Sequence, residues 1–348
     1  MALPDVLMRP LSLPVVAAPM FISSVPNLVT AQCQAGVVGS FPALNARPAS
    51  LLNDWLDQIT EENAAYALAH PDAPVAPFAV NQIVHRSNDR LDHDMGVIVE
   101  HQVPIVITSL GARPEINDAV HSYGGIVLHD VIDNEFARKA IDKGADGIIA
   151  VAAGAGGHAG RQSPFALLRE IREWFDGPLL LSGAIAHGSS ILAALAAGAD
   201  FAYIGTPFLS TTEANAPAGY KQMIVDSTAK DIVYSNLFTG VHGNYLRGSI
   251  LAAGLDPDNL PESDPSAMNF GSGGNMKAKA WRDIWGSGQG IAAIKKTMTV
   301  NDFVTQLKTQ YDQARNNLNH KTTPHQLQTI HDPHATPNHT SAVGRAQR

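Results

Sequence analysis

The chain of 348 residues is 45% hydrophobic and 16% charged, with a formal net charge of -8. A chain of this size can bury one large core, or a barrel-sized domain with a smaller appendage. The acidic balance and the lack of a basic stripe argue against nucleic-acid binding. Cys33 is the only cysteine, which excludes an internal disulfide and a four-cysteine metal site.

The N-terminal stretch MALPDVLMRPLSLPVVAAPM is interrupted by prolines and lacks a basic start followed by an apolar run. We therefore expect no signal peptide. No uninterrupted apolar stretch reaches the length of a membrane span, so we expect no membrane association. Together these features predict a soluble, cytoplasmic protein of enzyme size.

Short β-prone runs recur along the first 205 residues, separated by segments with helical patterns. Most runs are apolar throughout, as expected of parallel strands that are covered on both faces. The predicted strands are 15–18, 37–40, 78–80, 105–108, 126–129, 147–151, 179–182 and 201–205. The helices predicted between them are 25–34, 51–69, 89–102, 115–123, 134–143, 164–174 and 189–197.

Eight strands that alternate with helices predict an α/β protein with a (β/α)8 TIM barrel over residues 1–210. An open doubly wound sheet is the competing architecture. It is disfavoured because no G-x-G-x-x-G follows the first strand, where AAPMFISS stands instead.

The pattern changes after the eighth strand. Residues 211–285 combine helical pieces with an irregular segment rich in Gly, Pro, Asn and Ser, which predicts a smaller, mainly helical insertion over the active site. Residues 286–319 are predicted to return to the barrel, with a closing helix from about 291 to 319. The tail 320–348 contains five histidines and few apolar residues, for which disorder is favoured over metal binding.

The ends of the last two predicted strands carry turns suited to holding a phosphate. Strand seven ends at Ser182, Gly183 and Ala184, and strand eight ends at Gly205 and Thr206. Barrel enzymes often hold a phosphate with these two loops, through backbone N–H groups at a helix start. The sequence predicts a backbone-dominated phosphate site, which leaves sugar phosphates, nucleotides and flavin mononucleotide (FMN) open.

Three further strand ends narrow the choice of ligand. Pro19 and Met20 follow strand one and offer an apolar wall, while Asn81 follows strand three with an amide that can donate and accept. Strand six ends in AAGAGGHAG, where Gly156 and its neighbours place little bulk between the backbone and a ligand. This lining suits a flat heteroaromatic ring better than a small sugar.

His158 is the single titratable residue of that glycine-rich stretch. A histidine here either exchanges protons with the ligand or caps a turn through its ring nitrogens. Its place at the carboxyl end of a barrel strand, between glycines, favours proton exchange, with a pKa near the working pH. His129 and Asp130 end the fifth strand and are expected to face the same site, without an assigned role.

These motifs together resemble the nitronate monooxygenase family of FMN-dependent (β/α)8 barrels. The resemblance covers residues 10–310 and depends on the order and spacing of AAPM, VN, AGGHAG, SGAI, AALAAGADFAYIGTPF and WGSGQG. Of these, AGGHAG favours the nitronate-oxidising members of the superfamily.

The resemblance implies roles for individual residues. It implies that four residues contact the flavin, namely Pro19, Met20, Asn81 and Gly156. It implies that five residues hold the ribityl phosphate, namely Ser182, Gly183, Ala184, Gly205 and Thr206. Gln289, in the GSGQG turn, is implied to close over the cofactor, and His158 matches the active-site histidine of the family.

The resemblance also implies the reaction, in which an alkyl nitronate such as propionate 3-nitronate is oxidised by O2 to a carbonyl compound and nitrite. His158 is then expected both to deprotonate a neutral nitroalkane and to donate a hydrogen bond to the nitro oxygens. The implied partners are a small-molecule nitronate or nitroalkane and O2, and the pattern is compatible with a homodimer.

Two alternatives remain open. The first is an FMN-dependent NAD(P)H:quinone or enoyl reductase, which keeps the cofactor and changes the electron donor. The second is a flavin-free sugar-phosphate isomerase or aldolase that uses the same phosphate site. The second alternative needs a lysine or a carboxylate pair at the strand ends, and the sequence places none there.

Overall fold

The apolar runs of the first 205 residues form parallel strands with helices between them. The computed structural model describes residues 3–264 and 283–321. Its barrel strands are β1 (Val15–Ala17), β2 (Gly39–Pro42), β3 (Phe78–Ile83), β4 (Ile105–Ser109), β5 (Ile126–Val131), β6 (Gly147–Val151), β8 (Leu179–Ser182) and β9 (Phe201–Ile204). These eight strands form one sheet in the order β1-β9-β8-β6-β5-β4-β3-β2.

The two outer strands of that order also meet. Val38, directly before β2, donates its N–H to the carbonyl of Val15 at 3.1 Å, and its own carbonyl accepts from Ala17 N at 2.8 Å. The sheet therefore closes on itself, whereas an open doubly wound sheet keeps two unpaired edges. The predicted (β/α)8 barrel is confirmed.

Seven helices connect the strands and cover the outside of the barrel in the described residues. They are α1 (Pro26–Gln34), α2 (Leu51–Ala69), α3 (Leu91–Glu100), α4 (Pro114–His121), α5 (Asn134–Asp142), α6 (Pro164–Arg172) and α7 (Gly188–Ala196). None of the helices in the described ranges is long and apolar enough to span a bilayer.

A repeated Gly-Ala-Asp sequence links two of these helices to the strands that follow. Gly198, after α7, adopts φ +108°, a backbone conformation that ends the helix and favours glycine. Asp200 then accepts a hydrogen bond from Leu179 N at 2.8 Å, which ties the start of β9 to β8. Gly144 and Asp146 repeat the arrangement after α5.

Several strands differ from their predicted bounds because polar residues continue the pairing. β3 runs on to Ile83, since Asn81 and Gln82 still pair with β4. β5 runs on to Val131 for the same reason, as His129 and Asp130 pair with β6. A prediction that uses only the apolar pattern therefore ends these strands too early.

Alternation along the strands separates an inner face, which fills the barrel, from an outer face packed on the helices. Ala79, Ile107, Leu128 and Tyr203 belong to the inner cluster. Side chains alternate along a strand, so the residues two positions after Ala79, Ile107 and Leu128 also face inward. They stand at the carboxyl ends of β3, β4 and β5. These are Asn81, Ser109 and Asp130.

The residues after β9 form α8 (Thr206–Leu209), α9 (Ala218–Asp226), β10 (Ile232–Ser235), β11 (Gly243–Leu246) and α10 (Arg247–Ala252). β10 and β11 make an antiparallel hairpin, and β11 also pairs with β7 (Gly157–His158), in the loop after β6. The sequence prediction for 211–285 did not include this hairpin. Residues 265–282 of that range, and the tail from 322, lie outside the described residues.

The closing helix α11 (Val300–Lys321) begins later than predicted. A short 3-10 helix covers Gln289–Ala293, after which Met298 is extended and bridges Thr211. The carboxylate of Glu213 then accepts from Val300 N at 3.0 and 3.1 Å. The helix therefore starts at Val300 rather than near residue 291.

Candidate active site

The loop between β6 and β7 contacts two segments that are distant from it in sequence, the turn after β8 and the chain after the insertion. The carbonyl of Gly154 accepts hydrogen bonds from Ala184 N at 3.1 Å and from Gln289 N at 2.9 Å. Gly154 has φ +87°, and a Cβ there would lie 3.2 Å from both Ala184 Cβ and Gln289 Oε1. The ends of β6 and β8 and the segment after the insertion therefore meet.

One part of the phosphate prediction is wrong. Ala184 was expected to aim its N–H outward, but this group is bonded to Gly154 O. Ala184 adopts φ +54°, which turns the chain tightly after Gly183. Ser182 and Gly183 are half-buried and Ala184 is exposed, so the turn still lines open space and offers its other atoms to a ligand.

Gly156 and Gly288 pack backbone against backbone. A Cβ on Gly156 would lie 2.7 Å from Gly288 N and 3.0 Å from Thr206 Oγ1. Thr206 Oγ1 accepts a hydrogen bond from Gly288 N at 2.8 Å. Among the described residues its hydroxyl hydrogen has no acceptor, so it can serve a ligand. Glycine at position 156 is thus required by the chain's own packing, and the residue nevertheless remains exposed.

The apolar wall after β1 lies beside the turn after β9. Pro19 and Met20 are both half-buried, and the Met20 sulfur lies 3.8 Å from the position that a Cβ would take on Gly205. Asn45 fixes the wall by donating from Nδ2 to the carbonyls of Met20 at 3.0 Å and Ser24 at 2.8 Å. The structure therefore brings the predicted ring contacts close to the predicted phosphate contacts.

A hydrogen-bonded group lies on the inner face at the ends of β3, β4 and β5. Asn81 Nδ2 donates to Ile107 O at 3.0 Å and to Ser109 Oγ at 2.8 Å. Ser109 Oγ donates to Asp130 Oδ2 at 2.7 Å. Burial raises the pKa of Asp130 to about 6, although the Ser109 hydrogen bond opposes this shift. Burial, together with the charge of Asp130, raises the pKa of Tyr203 well above its usual range.

His129 does not face this site, contrary to the prediction. Its position in β5 puts it on the opposite face from Asp130, where it is 5% exposed. His129 Nδ1 lies 2.6 Å from Thr108 Oγ1, on the outer side of the neighbouring strand. Burial, with a smaller effect of Lys143, lowers the pKa of His129 to about 4. We assign it to the packing between the barrel and its helices.

His158 lies in β7 and is held by a residue of the insertion. Its Nε2 is 2.9 Å from Thr239 Oγ1, and Thr239 Oγ1 donates to Val241 O at 3.0 Å. The Thr239 hydroxyl thus holds the imidazole of His158 in one orientation. Burial lowers the pKa of His158 to about 4, so the expected pKa near the working pH is wrong and the ring is neutral at neutral pH.

The insertion also fixes the backbone on both sides of His158. Asn244 Nδ2 donates to Ala155 O at 2.6 Å, and Ala159 N donates to His242 O at 3.1 Å. Sequence analysis missed Thr239 and Asn244, because nothing in their local pattern indicates which distant loop they contact. Ser109 could have been found, since it follows the inner-face residue Ile107 by two positions.

Comparisons with known proteins agree with this architecture. The family model described as nitronate monooxygenase matches residues 6–310. A nitronate monooxygenase of Paraburkholderia phytofirmans is 26% identical, in an alignment that covers 86% of this chain and 93% of the relative. A nitronate monooxygenase of Neurospora crassa is 27% identical, and the match covers 57% of each chain.

Solved structures of similar fold include the nitroalkane oxidase of Streptomyces ansochromogenes, with a TM-score of 0.73 and 25% identity, over 88% of this chain and 97% of that one. FabK of Thermotoga maritima has a TM-score of 0.71 and 21% identity, over 91% and 97% of the two chains. At that identity FabK shows the shared fold alone. The family match over most of the chain is decisive: this protein is an enzyme of the nitronate monooxygenase family, an oxidoreductase with a TIM-barrel fold.

Proposed function

We propose that this enzyme binds FMN and oxidises alkyl nitronates, such as propionate 3-nitronate, with O2 to a carbonyl compound and nitrite. The observation that carries the proposal is His158, a neutral imidazole oriented by Thr239 in a glycine-rich loop at the carboxyl end of a barrel strand. Family membership and the likeness to a nitroalkane oxidase support it.

The residues present fit FMN. Exposed or half-buried backbone at Gly156, Gly183 and Ala184 leaves room for a close approach, and the Thr206 hydroxyl can donate to a phosphate. Asn81, at the inner mouth, and the apolar pair of Pro19 and Met20 would hold the ring. Gln289 would cover it from the segment after the insertion. Bound FMN would supply the redox chemistry, taking electrons from the substrate and passing them to O2.

His158 would act differently on the two forms of the substrate. A nitronate arrives already deprotonated, so its oxidation needs no base. A neutral nitroalkane must first lose the proton from the carbon that bears the nitro group, and a neutral imidazole can accept it. Positions 153–157 carry only glycine and alanine, so no bulky side chain of that stretch separates the imidazole from a ligand.

The visible spectrum of the purified protein tests the proposal. We expect a yellow protein whose absorption is that of oxidised flavin, with FMN released on denaturation. Under anaerobic conditions a nitronate should bleach this absorption and NADH should not. Bleaching by NADH and not by a nitronate would instead support a quinone or enoyl reductase, and a colourless protein that binds no FMN would support the flavin-free class.

The pH dependence of nitroalkane oxidation should reflect the low pKa of His158. Above a pKa of about 4 the imidazole is neutral and can accept a proton, and below it the ring is protonated and cannot. The ratio of nitroalkane to nitronate turnover should therefore stay constant down to about pH 5 and then fall. Using the ratio cancels the titration of Asp130, which affects both substrates. A fall centred near pH 6.5 would contradict this assignment.

Thr239→Val removes the hydroxyl that orients the ring while keeping its size. We expect nitroalkane kcat/KM to fall about tenfold, since one hydrogen bond to the imidazole and its fixed orientation are lost. Thr239→Ser, the matched control, should retain nearly all of this activity. Equal activity of the valine and serine variants would show that Thr239 does not orient His158.

A further inference from the structure

The side chains of Asn81, Ser109 and Asp130 form one directed chain of hydrogen bonds across three consecutive strands. The carbonyl of Ile107 can only accept, so the nitrogen of the Asn81 amide, rather than its oxygen, faces it. Ser109 donates its single hydroxyl hydrogen to Asp130, and therefore accepts from the same Asn81 nitrogen. Both amide hydrogens of Asn81 are thus committed to the barrel wall.

The oxygen of the Asn81 amide is left for a ligand. Within the part of the chain that the structure describes, no group donates a hydrogen bond to Asn81 Oδ1. This oxygen is also not among the fully buried side-chain atoms that lack a partner, so it keeps some accessible surface although Asn81 as a whole is only 6% exposed. The oxygen can act only as an acceptor.

Asp130 determines the direction of the chain. An ionised carboxylate has no hydrogen to give, so Ser109 must donate to it, and Asn81 must then donate to Ser109. Asp130 lies on the inner face with Tyr203, whose pKa its charge affects, and it takes part in no motif by which the family was identified. It is half-buried at the end of β5, and among the described residues Ser109 is the one side chain that donates to it.

We infer that Asp130 and Ser109 are positioning residues that fix Asn81 as a hydrogen-bond acceptor for an N–H group on the edge of the bound ring. The inference depends on the proposed function, because the ring is the flavin, whose pyrimidine edge carries one imide N–H. It adds to that function two residues that determine cofactor affinity without contacting the reacting atoms.

Titration of FMN into the apoprotein, followed by flavin fluorescence, tests the inference. Ser109→Ala and Asp130→Ala should each weaken FMN binding about tenfold and shift the visible absorption of the bound flavin. Asp130→Asn should stay within about twofold of wild type, because its amide oxygen can still accept from Ser109. Thr108→Val is the matched control: it removes a hydroxyl from the adjacent outer-face position of β4, and we expect less than about a twofold change.

A double-mutant cycle shows whether the effect passes through Asn81. In an Asn81→Ala background, Ser109→Ala should weaken FMN binding no further. A tenfold loss that persists in this background would overturn the inference, as would wild-type affinity in both alanine variants. Melting of each apoprotein identifies variants that fail to fold, and either alanine variant alone suffices for the cycle.

The inference and the proposed function fail in different ways. A wild-type enzyme that binds FMN and oxidises nitronates, but is indifferent to Ser109→Ala and Asp130→Ala, overturns only the inference. A wild-type protein that binds no FMN overturns the proposed function and the inference together.

Discussion

His158→Asn is expected to lower nitroalkane oxidation by about a hundredfold or more, the usual contribution of a general base, while nitronate oxidation stays within about tenfold of wild type. The asymmetry follows from the substrates, since only the neutral nitroalkane has a proton to lose. Asparagine preserves polarity and approximate size but cannot accept a proton at neutral pH. Steady-state kcat/KM for a nitroalkane and its nitronate, measured on one preparation, gives the ratio directly.

His129→Asn is the matched control for this experiment. Burial lowers the pKa of both histidines to about 4, but His129 contacts Thr108 on the outer face of the barrel. We expect the ratio of nitroalkane to nitronate turnover to be unchanged in this variant, even if the protein is less stable. Nitroalkane turnover that survives His158→Asn intact would disprove the role of His158 as the base.

Gly188→Ala is expected to lower the free energy of unfolding by about 3 kcal/mol, at the upper end of the usual cost of overpacking. Gly188 begins α7 at the point where α11 crosses it. A Cβ there would overlap the backbone nitrogen of Tyr311 and the carbonyl of Leu307, and would lie 2.6 Å from the backbone carbon of Gln310. Because these are backbone atoms, the two helices must move apart to accommodate the methyl group.

Gly96→Ala provides the contrasting case within a helix. Gly96 lies in the exposed middle of α3, and a Cβ there would have no atom within 4 Å. Alanine should therefore raise the free energy of unfolding by up to about 1 kcal/mol through helix propensity alone. Urea denaturation at a fixed FMN concentration compares both variants with wild type, since bound cofactor would shift the apparent stability. Equal stability of Gly188→Ala and Gly96→Ala would contradict the close crossing of α7 and α11.

The barrel could be predicted from sequence because parallel strands covered on both faces are apolar throughout, which gives eight recognisable runs. The repeated Gly-Ala-Asp sequence indicated where two helices end. In the structure its aspartates accept hydrogen bonds from the backbone of the neighbouring strand. The hairpin of β10 and β11 could not be predicted, since its four-residue strands are stabilised by pairing with Gly157 and His158, which lie far away in sequence.

The protonation and hydrogen bonding of the site were harder to predict from the sequence than its location. Residue type identifies His158 as titratable, but its pKa depends on burial, which only the folded chain determines. In the same way, the sequence of the SGAI turn indicates a tight bend but not that Ala184 N already bonds Gly154 O. Thr239 and Ser109 act through partners in other loops and strands, so no local pattern distinguishes them from ordinary hydroxyl residues.

β7, which carries His158, follows barrel strand β6 and also pairs with β11 of the insertion. It therefore connects the barrel with the insertion. The imidazole of His158 therefore comes from the barrel side of this pairing, and the Thr239 hydroxyl that orients it comes from the insertion. A nitroalkane that entered by separating the hairpin from β7 would reach a base with no fixed orientation, and proton removal would wait until the hairpin had paired again. A nitronate, which needs no base, would be free of that delay.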